Sequence, residues 1–382
     1  MSISFTSKLP HVGTTIFTVM SQMAQEYKAL NLSQGFPNFE ASPDLLRFTT
    51  EAMKNGFNQY APMAGALPLR EQIAIKTERL YGKCYDVDSE ITVTAGATQA
   101  IFTIITAFLR KDDEVIIFKP AYDCYEPAIE LVGAKSVVIQ LDAPTFSVDW
   151  EAVKKALTPQ TKMMIINSPH NPSGTIWSKE DMQQLSDLLE GTNILLLSDE
   201  VYEHIIFDGE QHQSASLFPK LAERAFIVSS FGKTFHITGW KLGYVVAPKA
   251  LMIEFRKVHQ FNVFSVHSPS QMGLAEYLKN EENYLCLPGF YQQKRDLFLK
   301  ALSGSRFKIT PTQGTFFQLL EYQDISQEND VDFSKRLVKE FGIASIPISV
   351  FNTKEADMNL LRFCFAKTDE TLLKAADLLC KI

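Results

Sequence analysis

The sequence predicts an α/β fold: a mostly parallel central sheet flanked by helices, with a smaller α+β domain and an N-terminal arm. Three observations lead there. From Ile91 onward, short apolar runs alternate with helical stretches, as when parallel strands are joined by crossovers. The runs are continuous stretches of valine, isoleucine and leucine, as expected of strands covered on both faces. The chain has 382 residues at 46% hydrophobic composition, enough for one large core and a second, smaller one.

Residues 1–45 read as an arm punctuated by Pro10, Gly13, Gly35, Pro37 and Pro43, with one helical pattern over 16–29. Pro43-Asp44 opens a helix to Lys54, and 69–81 forms another, with Leu69, Ile73 and Leu80 on its apolar face. Strands are expected at 91–94, 114–118, 136–139, 163–167, 194–198, 225–229 and 243–247, with a helix over 98–109 after the first. Between Phe255 and Pro288 the pattern turns helical, Ser268-Pro269 starting a helix over 271–278. A helix over 291–302 and strands at 307–310, 315–320 and 360–365 complete the reading. The expected division is an arm (1–45) packed on the small domain, a large domain (46–288) and a small C-terminal domain (289–382).

Composition narrows the function. A formal net charge of -7, from 37 basic and 44 acidic residues without a long block of either sign, disfavours nucleic acid and anionic membranes and favours a small-molecule substrate. Cys84, Cys124, Cys286, Cys364 and Cys380 are scattered, with no C-x-x-C pair or zinc-like spacing, which suggests reduced thiols in the cytoplasm. Met1–Lys8 lacks a basic segment followed by an apolar one, and no apolar run approaches the ~20 residues of a membrane span. A soluble, cytoplasmic protein is expected. No metal site is expected either, since no H-E-x-x-H occurs and His170, His204 and His236 read as polar scaffold.

Four apolar runs end in residues able to handle a proton, a ring or a phosphate. Tyr122 follows Phe118; His170 to Gly174 follow Asn167; Asp199 to Tyr202 follow Ser198; Ser230 and Lys233 follow Val228. In a parallel sheet the carboxyl ends share one edge, so these residues converge. Lys233, in Ser229-Ser230-Phe231-Gly232-Lys233-Thr234, is the candidate nucleophile: a partly desolvated amine can form a Schiff base with a carbonyl. Its Gly-Lys-Thr is not the tail of a phosphate-binding G-x-x-x-x-G-K-[ST] loop, because Ile227 stands where the first glycine is required. Singly, each residue has a plainer reading. Lys233 could be a solvated surface lysine, Asn171-Pro172-Ser173-Gly174 a turn, Asp199 a helix cap, Tyr202 a half-buried aromatic, and Gly96 part of an ordinary strand-to-helix turn.

Together they are far more specific. Asn171-Pro172-x-Gly174, Asp199-Glu200-Val201-Tyr202, Ser230-x-x-Lys233 and Gly239-Trp240-Lys241-x-Gly243, in that order, closely resemble the class I aminotransferases among the fold type I pyridoxal phosphate enzymes. The resemblance runs from Gly35 to Arg362. Ser229 to Thr234 and Asp123-Cys124-Tyr125-Glu126-Pro127 are most similar to the methionine and kynurenine/glutamine aminotransferase subgroup.

The resemblance implies pyridoxal 5'-phosphate carried by Lys233 as an imine, the same lysine then shuttling a proton at the substrate α-carbon. It implies Asp199 on the pyridine nitrogen, Tyr202 and Asn171 on the phenolic oxygen, and Tyr122 stacked on the ring. The phosphate would rest on Gly96, Ala97 and Thr98, closed by Ser230 and Lys241. Arg362 would clamp the α-carboxylate, assisted by Gly35 and Asn171, in place of the surface ion pair its strand would otherwise suggest. Tyr60, in Tyr60-x-x-x-x-Gly65-x-x-x-Leu69-Arg70, would reach the phosphate of a neighbouring subunit, implying a homodimer with shared active sites. Ile16, Phe17, Tyr60, Tyr122 and Phe264 are candidates for the side-chain pocket. The implied reaction is transamination between a neutral bulky amino acid (methionine, an aromatic amino acid, glutamine or kynurenine) and a 2-oxo acid. A C–S β-lyase acting on cysteine conjugates is the alternative, and an aminotransferase-like ligand-sensing regulator a further one.

Overall fold

The structure, a computed structural model, describes residues 6–352 and 357–382; residues 1–5 of the expected arm and 353–356 of the expected small domain lie outside the described residues. After the two-residue β1 (Leu30–Asn31), seven strands form the central sheet. They are β2 (Ile91–Thr94), β3 (Glu114–Lys119), β4 (Lys135–Gln140), β5 (Thr161–Asn167), β6 (Leu195–Asp199), β7 (Ala225–Ser230) and β8 (Gly243–Val246). Their order is β2-β8-β7-β6-β5-β3-β4. Pairing is parallel from β7 through β4, and β8 runs against both β7 and β2. All seven expected strands are present, with ends shifted by at most two residues.

Alternate residues of these strands divide between two buried clusters. Ile116, Met164, Leu196 and Ile227 face one core; Val115, Met163, Leu197 and Phe226 face the other. Period-two side-chain direction with both faces covered explains the continuous apolar runs. The helices Gly96–Phe108 and Lys249–Asn262 pack together over the second core.

Register sets the site. Asn167 pairs with Asp199, and Asp199 with Val228, so β5, β6 and β7 end on one edge. Because β8 is antiparallel, its first residue lies on that edge as well, with Gly243 opposite both Ser230 and Thr94.

Towards the C-terminus, β9 (Phe317–Glu321), β10 (Ile343–Ala344), β11 (Ile346–Pro347) and β12 (Leu360–Cys364) follow. β12 lies antiparallel between β11 and β9, while β1 pairs in parallel with β10. Two expectations need correction. Residues 307–310 form no strand: Lys308 makes an isolated bridge to Glu321, and Pro311, lacking an N–H, cannot extend the pairing. The strand expected from Thr315 begins at Phe317, because Thr315 has φ +65°, outside the extended region.

Candidate active site

The edge shared by β2, β5, β6, β7 and β8 opens into a cavity of about 150 Å³. Gly96, Ala97, Thr98, Tyr122, Asn171, Asp199, Tyr202, Ser230, Lys233 and Lys241 all line it, so most of the residues singled out in the sequence converge. Ser230 ends β7 and caps the four-residue helix Phe231–Thr234, its Oγ accepting from the Lys233 N–H at 3.4 Å. The half-buried Lys233 amine donates to the Gly35 carbonyl at 3.1 Å and lies 5.8 Å from the Tyr202 ring. Burial lowers its pKa to about 8, which leaves a useful fraction as free amine near neutral pH.

Asp199 ends β6 and is buried. Its Oδ2 accepts a 2.6 Å hydrogen bond from the Tyr125 hydroxyl, and its Oδ1 a longer one from the Val201 N–H at 3.4 Å. Burial raises its pKa to about 6, the Tyr125 bond partly opposing the rise. Asn167 braces the neighbouring turn: its Nδ2 donates to the Asp199 carbonyl at 2.9 Å and its Oδ1 accepts from the Asn171 N–H at 2.8 Å. Tyr122 and Thr98 hydroxyls lie 3.3 Å apart.

At the other end, the first turn of the helix Gly96–Phe108 presents free backbone N–H groups. Gly96 has φ +78°, and a Cβ there would stand 3.4 Å from Lys241 Nζ, so the ammonium sits directly beside the turn. Gly243 permits the close approach of β8, since its Cβ would lie 2.6 Å from the Ser229 carbonyl oxygen and 3.2 Å from Ala97 N.

Arg362 lies on β12 and is 1% exposed. Its Nη1 donates to Asn171 Oδ1 at 2.6 Å and its Nη2 to the Ser33 carbonyl at 3.5 Å, while its buried Nε has no partner among the described residues. The guanidinium stacks 3.9 Å from the Phe317 ring centroid, with Phe351 at 5.2 Å and Phe17 at 5.4 Å. Burial in this aromatic surround lowers its pKa to about 10, still charged at neutral pH.

Other candidates lie elsewhere. Ile16 packs against the large core and does not line the cavity. Tyr60 (82% exposed) and Phe264 (44%) meet edge to face at 5.3 Å, and Tyr60 lines a separate surface cleft with Ser265 to Pro269. Nδ1 of His170 is 2.6 Å from Ser173 Oγ, and His236 packs on Phe39. Sequence reasoning missed Tyr125, Asn167, Phe317 and Phe351. Only Tyr125 stood in a quoted motif, and nothing there shows that it faces Asp199.

Comparison with known proteins agrees with this geometry. The profile of the aminotransferase class I and II family matches residues 27–379. The methionine aminotransferase of Escherichia coli is 51% identical over 372 residues, covering 97% of this chain and 96% of that protein. The kynurenine–oxoglutarate transaminase of Dictyostelium discoideum is 33% identical, with coverage of 97% and 94%. The crystal structure of YbdL from Escherichia coli, described as having a methionine aminotransferase function, superposes with a TM-score of 0.98 at 50% identity over 100% of both chains. With lysine and carboxylate on one sheet edge and a guanidinium bonded to Asn171 beside it, the chain belongs to the class I and II aminotransferases and is a pyridoxal phosphate-dependent enzyme.

Proposed function

We propose that the amino donor is methionine first, with aromatic amino acids, glutamine and kynurenine as further donors, and that the acceptor is a 2-oxo acid. The methionine aminotransferase at 51% identity and the kynurenine transaminase at 33% support this range. So does the charge inventory: Lys233 and Lys241 are the cations lining the cavity, and Arg362 stands behind Asn171, leaving no second guanidinium for an acidic side chain among the described lining residues. The observation that carries the reaction type is the Lys233 amine, brought to about 8 by burial on the cavity wall that also holds Asp199.

The residues suit pyridoxal phosphate. Asp199 is a buried carboxyl with no ion pair among the described residues, so a protonated ring nitrogen would relieve its burial. The Gly96 turn with Lys241 beside it suits a phosphate. When bound, this cofactor supplies a carbonyl for amine exchange and a ring that accepts electrons from the substrate α-carbon. In our reading Lys233 is nucleophile and proton carrier at that carbon, and Asp199 would hold the ring nitrogen. Tyr202 and Asn171 would hold the phenolic oxygen, Tyr122 would cover the ring, and Thr98 and Ser230 would complete the phosphate cup. Arg362 binds the α-carboxylate with Asn171 and Gly35, its unpartnered Nε adding a donor. The aromatic rings around it, Phe17 included, exclude water and strengthen that contact.

The reading extends to organisation. We assign the arm to 1–45, the large domain to 46–288 and the small domain to 289–382; pairing of β1 with β10 supports packing of the arm on the small domain. A homodimer with Tyr60 reaching the partner's phosphate is supported by the exposure of Tyr60 (82%), Phe261 (87%) and Phe264 (44%). Five free cysteines support a cytoplasmic setting, and no helix among the described residues is long and apolar enough to cross a membrane.

Spectral titration of the holoenzyme with methionine, phenylalanine, kynurenine, glutamine and aspartate tests the donor. Methionine or an aromatic amino acid should convert the bound cofactor at the lowest concentration; aspartate reacting best would overturn the substrate reading. Pyruvate released from a cysteine conjugate without an oxo acid would favour the β-lyase. Borohydride reduction and peptide mapping should tag Lys233, and a tag elsewhere would remove its role.

A further inference from the structure

The turn after β6 sends its side chains two ways. Asp199, Val201 and Tyr202 line the cavity, whereas Glu200 and Glu203 do not, and both carboxylates are buried. Glu200 Oε1 accepts from Ser198 Oγ at 2.8 Å and the Ala215 N–H at 2.9 Å, and its Oε2 lies 2.7 Å from His212 Nε2. Glu203 Oε1 accepts from Lys76 Nζ at 2.7 Å and the Tyr244 hydroxyl at 3.2 Å, and its Oε2 from the Tyr81 hydroxyl at 2.6 Å. Lys76 also donates to Tyr244 at 2.8 Å, and the Lys76 and Glu203 side chains are each only 4% exposed.

Such a pair is a poor source of stability, because desolvation offsets the attraction and apolar residues of similar volume often serve as well. Its distinctive content is geometric. Three elements meet at one carboxylate: the helix Leu67–Tyr81 through Lys76 and Tyr81, the cavity turn through Glu203, and β8 through Tyr244. β8 begins at Gly243, which packs directly against Gly96 and Ala97. Tyr202 makes no side-chain hydrogen bond among the described residues; its ring is held edge-on by Phe316 at 5.1 Å and Phe317 at 5.9 Å. The placement of its hydroxyl therefore depends on the backbone that Glu203 anchors.

We propose that Glu203, with Lys76 and Tyr244, is a positioning cluster that fixes the span between the Tyr202 hydroxyl and the Gly96–Thr98 turn, so that both ends of the cofactor are gripped at once. This rests on the reading of the Lys233 cavity as the cofactor site. The anchor is an ion pair at neutral pH. Burial pushes the Glu203 carboxyl up, but the Lys76 ammonium outweighs it and holds the group well below its ordinary value; the same attraction raises Lys76 against its own burial.

The test compares the parent with Tyr244→Phe, with the apolar double variant Lys76→Met/Glu203→Leu, and with both made in a Tyr202→Phe background. Three quantities are read: the thermal midpoint of the apo protein, the dissociation constant of pyridoxal phosphate, and the pH at which the absorbance of the bound cofactor is half changed. The expected result is a midpoint within about 3 °C of the parent, cofactor binding about tenfold weaker, and an absorbance midpoint moved by about half a pH unit or more. That movement should vanish in the Tyr202→Phe background, as a cycle between coupled sites requires. Unchanged affinity and titration in Tyr244→Phe, or equal shifts with and without the Tyr202 hydroxyl, would overturn the proposal. Should the double variant fail to fold, Tyr244→Phe decides, since it leaves the ion pair intact. A parent chain that binds no pyridoxal phosphate would instead overturn the site reading.

Discussion

Replacing Tyr125 with phenylalanine keeps the ring and deletes one oxygen, the donor to Asp199 Oδ2 at 2.6 Å. Both groups are buried, so no water replaces the bond at once. Hydrogen bonds to charged groups contribute about 1.5–3 kcal/mol, which corresponds to about 1–2 pKa units. Asp199 stands at about 6 because burial raises it and Tyr125 partly restrains the rise. Without that restraint its carboxyl titrates about one unit or more higher, and below that pH it is neutral and cannot pair with a ring cation. A bound cofactor lowers the absolute value in parent and variant alike, so the difference between them is the quantity to measure. In profiles of kcat/KM against pH, the acidic limb of Tyr125→Phe should move up by about one unit. Activity should fall about tenfold at pH values below the limb and stay within about twofold of the parent well above it. A profile superimposable on the parent, or scaled down equally at every pH, would refute the role assigned to this hydroxyl.

Other expectations follow from the same geometry. The Asp199 carboxyl is raised from 3.8 to about 6 on folding, so the native state binds the extra proton between those values. Its burial costs nothing below about pH 4 and the full amount, about 3 kcal/mol, above about pH 6. Apo Asp199→Asn should therefore resist urea better than the apo parent at alkaline pH and equally in acid; a gap independent of pH would count against this. Arg362→Lys keeps the charge but loses the planar fork, and should raise KM for the amino donor by about a hundredfold, roughly 3 kcal/mol, while the spectrum of the bound cofactor is unchanged. A spectral change would move Arg362 from substrate to cofactor. Gly174→Ala forces a side chain into φ +74° and puts its Cβ 1.6 Å from Thr312 Oγ1 and 2.9 Å from the Gly314 carbonyl oxygen. It should destabilise by about 2–4 kcal/mol, read as a lowered thermal midpoint, and an unchanged midpoint would show that the turn can relax.

The parallel sheet was legible because doubly covered strands leave uninterrupted apolar runs, and Asp199, Ser230 and Lys233 were legible because they terminate those runs. Arg362 was not: within Leu360–Cys364 it resembles any strand arginine, and only the family resemblance singled it out. Tyr125 and Glu203 escaped for a different reason. Their partners lie on other elements, Asp199 at the end of β6 and Lys76 on the helix Leu67–Tyr81, and only the strand order brings them together. Residues 307–310 misled because an apolar alternation beside a proline looks like an edge strand until the pairing is counted. Tyr60 and Phe264 are exposed in the single chain and do not line the Lys233 cavity.

The carbonyls of Ser33, Gly35 and Phe36 are each held by a different cation: Arg362 at 3.5 Å, Lys233 at 3.1 Å and Lys367 at 2.8 Å. Of these three fastenings, the middle one uses the reactive amine itself. Whenever that nitrogen is occupied elsewhere, the Gly35 carbonyl loses this donor, while Ser33, Gln34 and Phe36 keep their bonds to Arg362, Phe17 and Lys367. Removing the amine in Lys233→Ala should move the carbonyl-carbon chemical shift of Gly35 and leave those of Ser33 and Phe36 in place, a trace of the reactive amine in a loop that carries no reacting group.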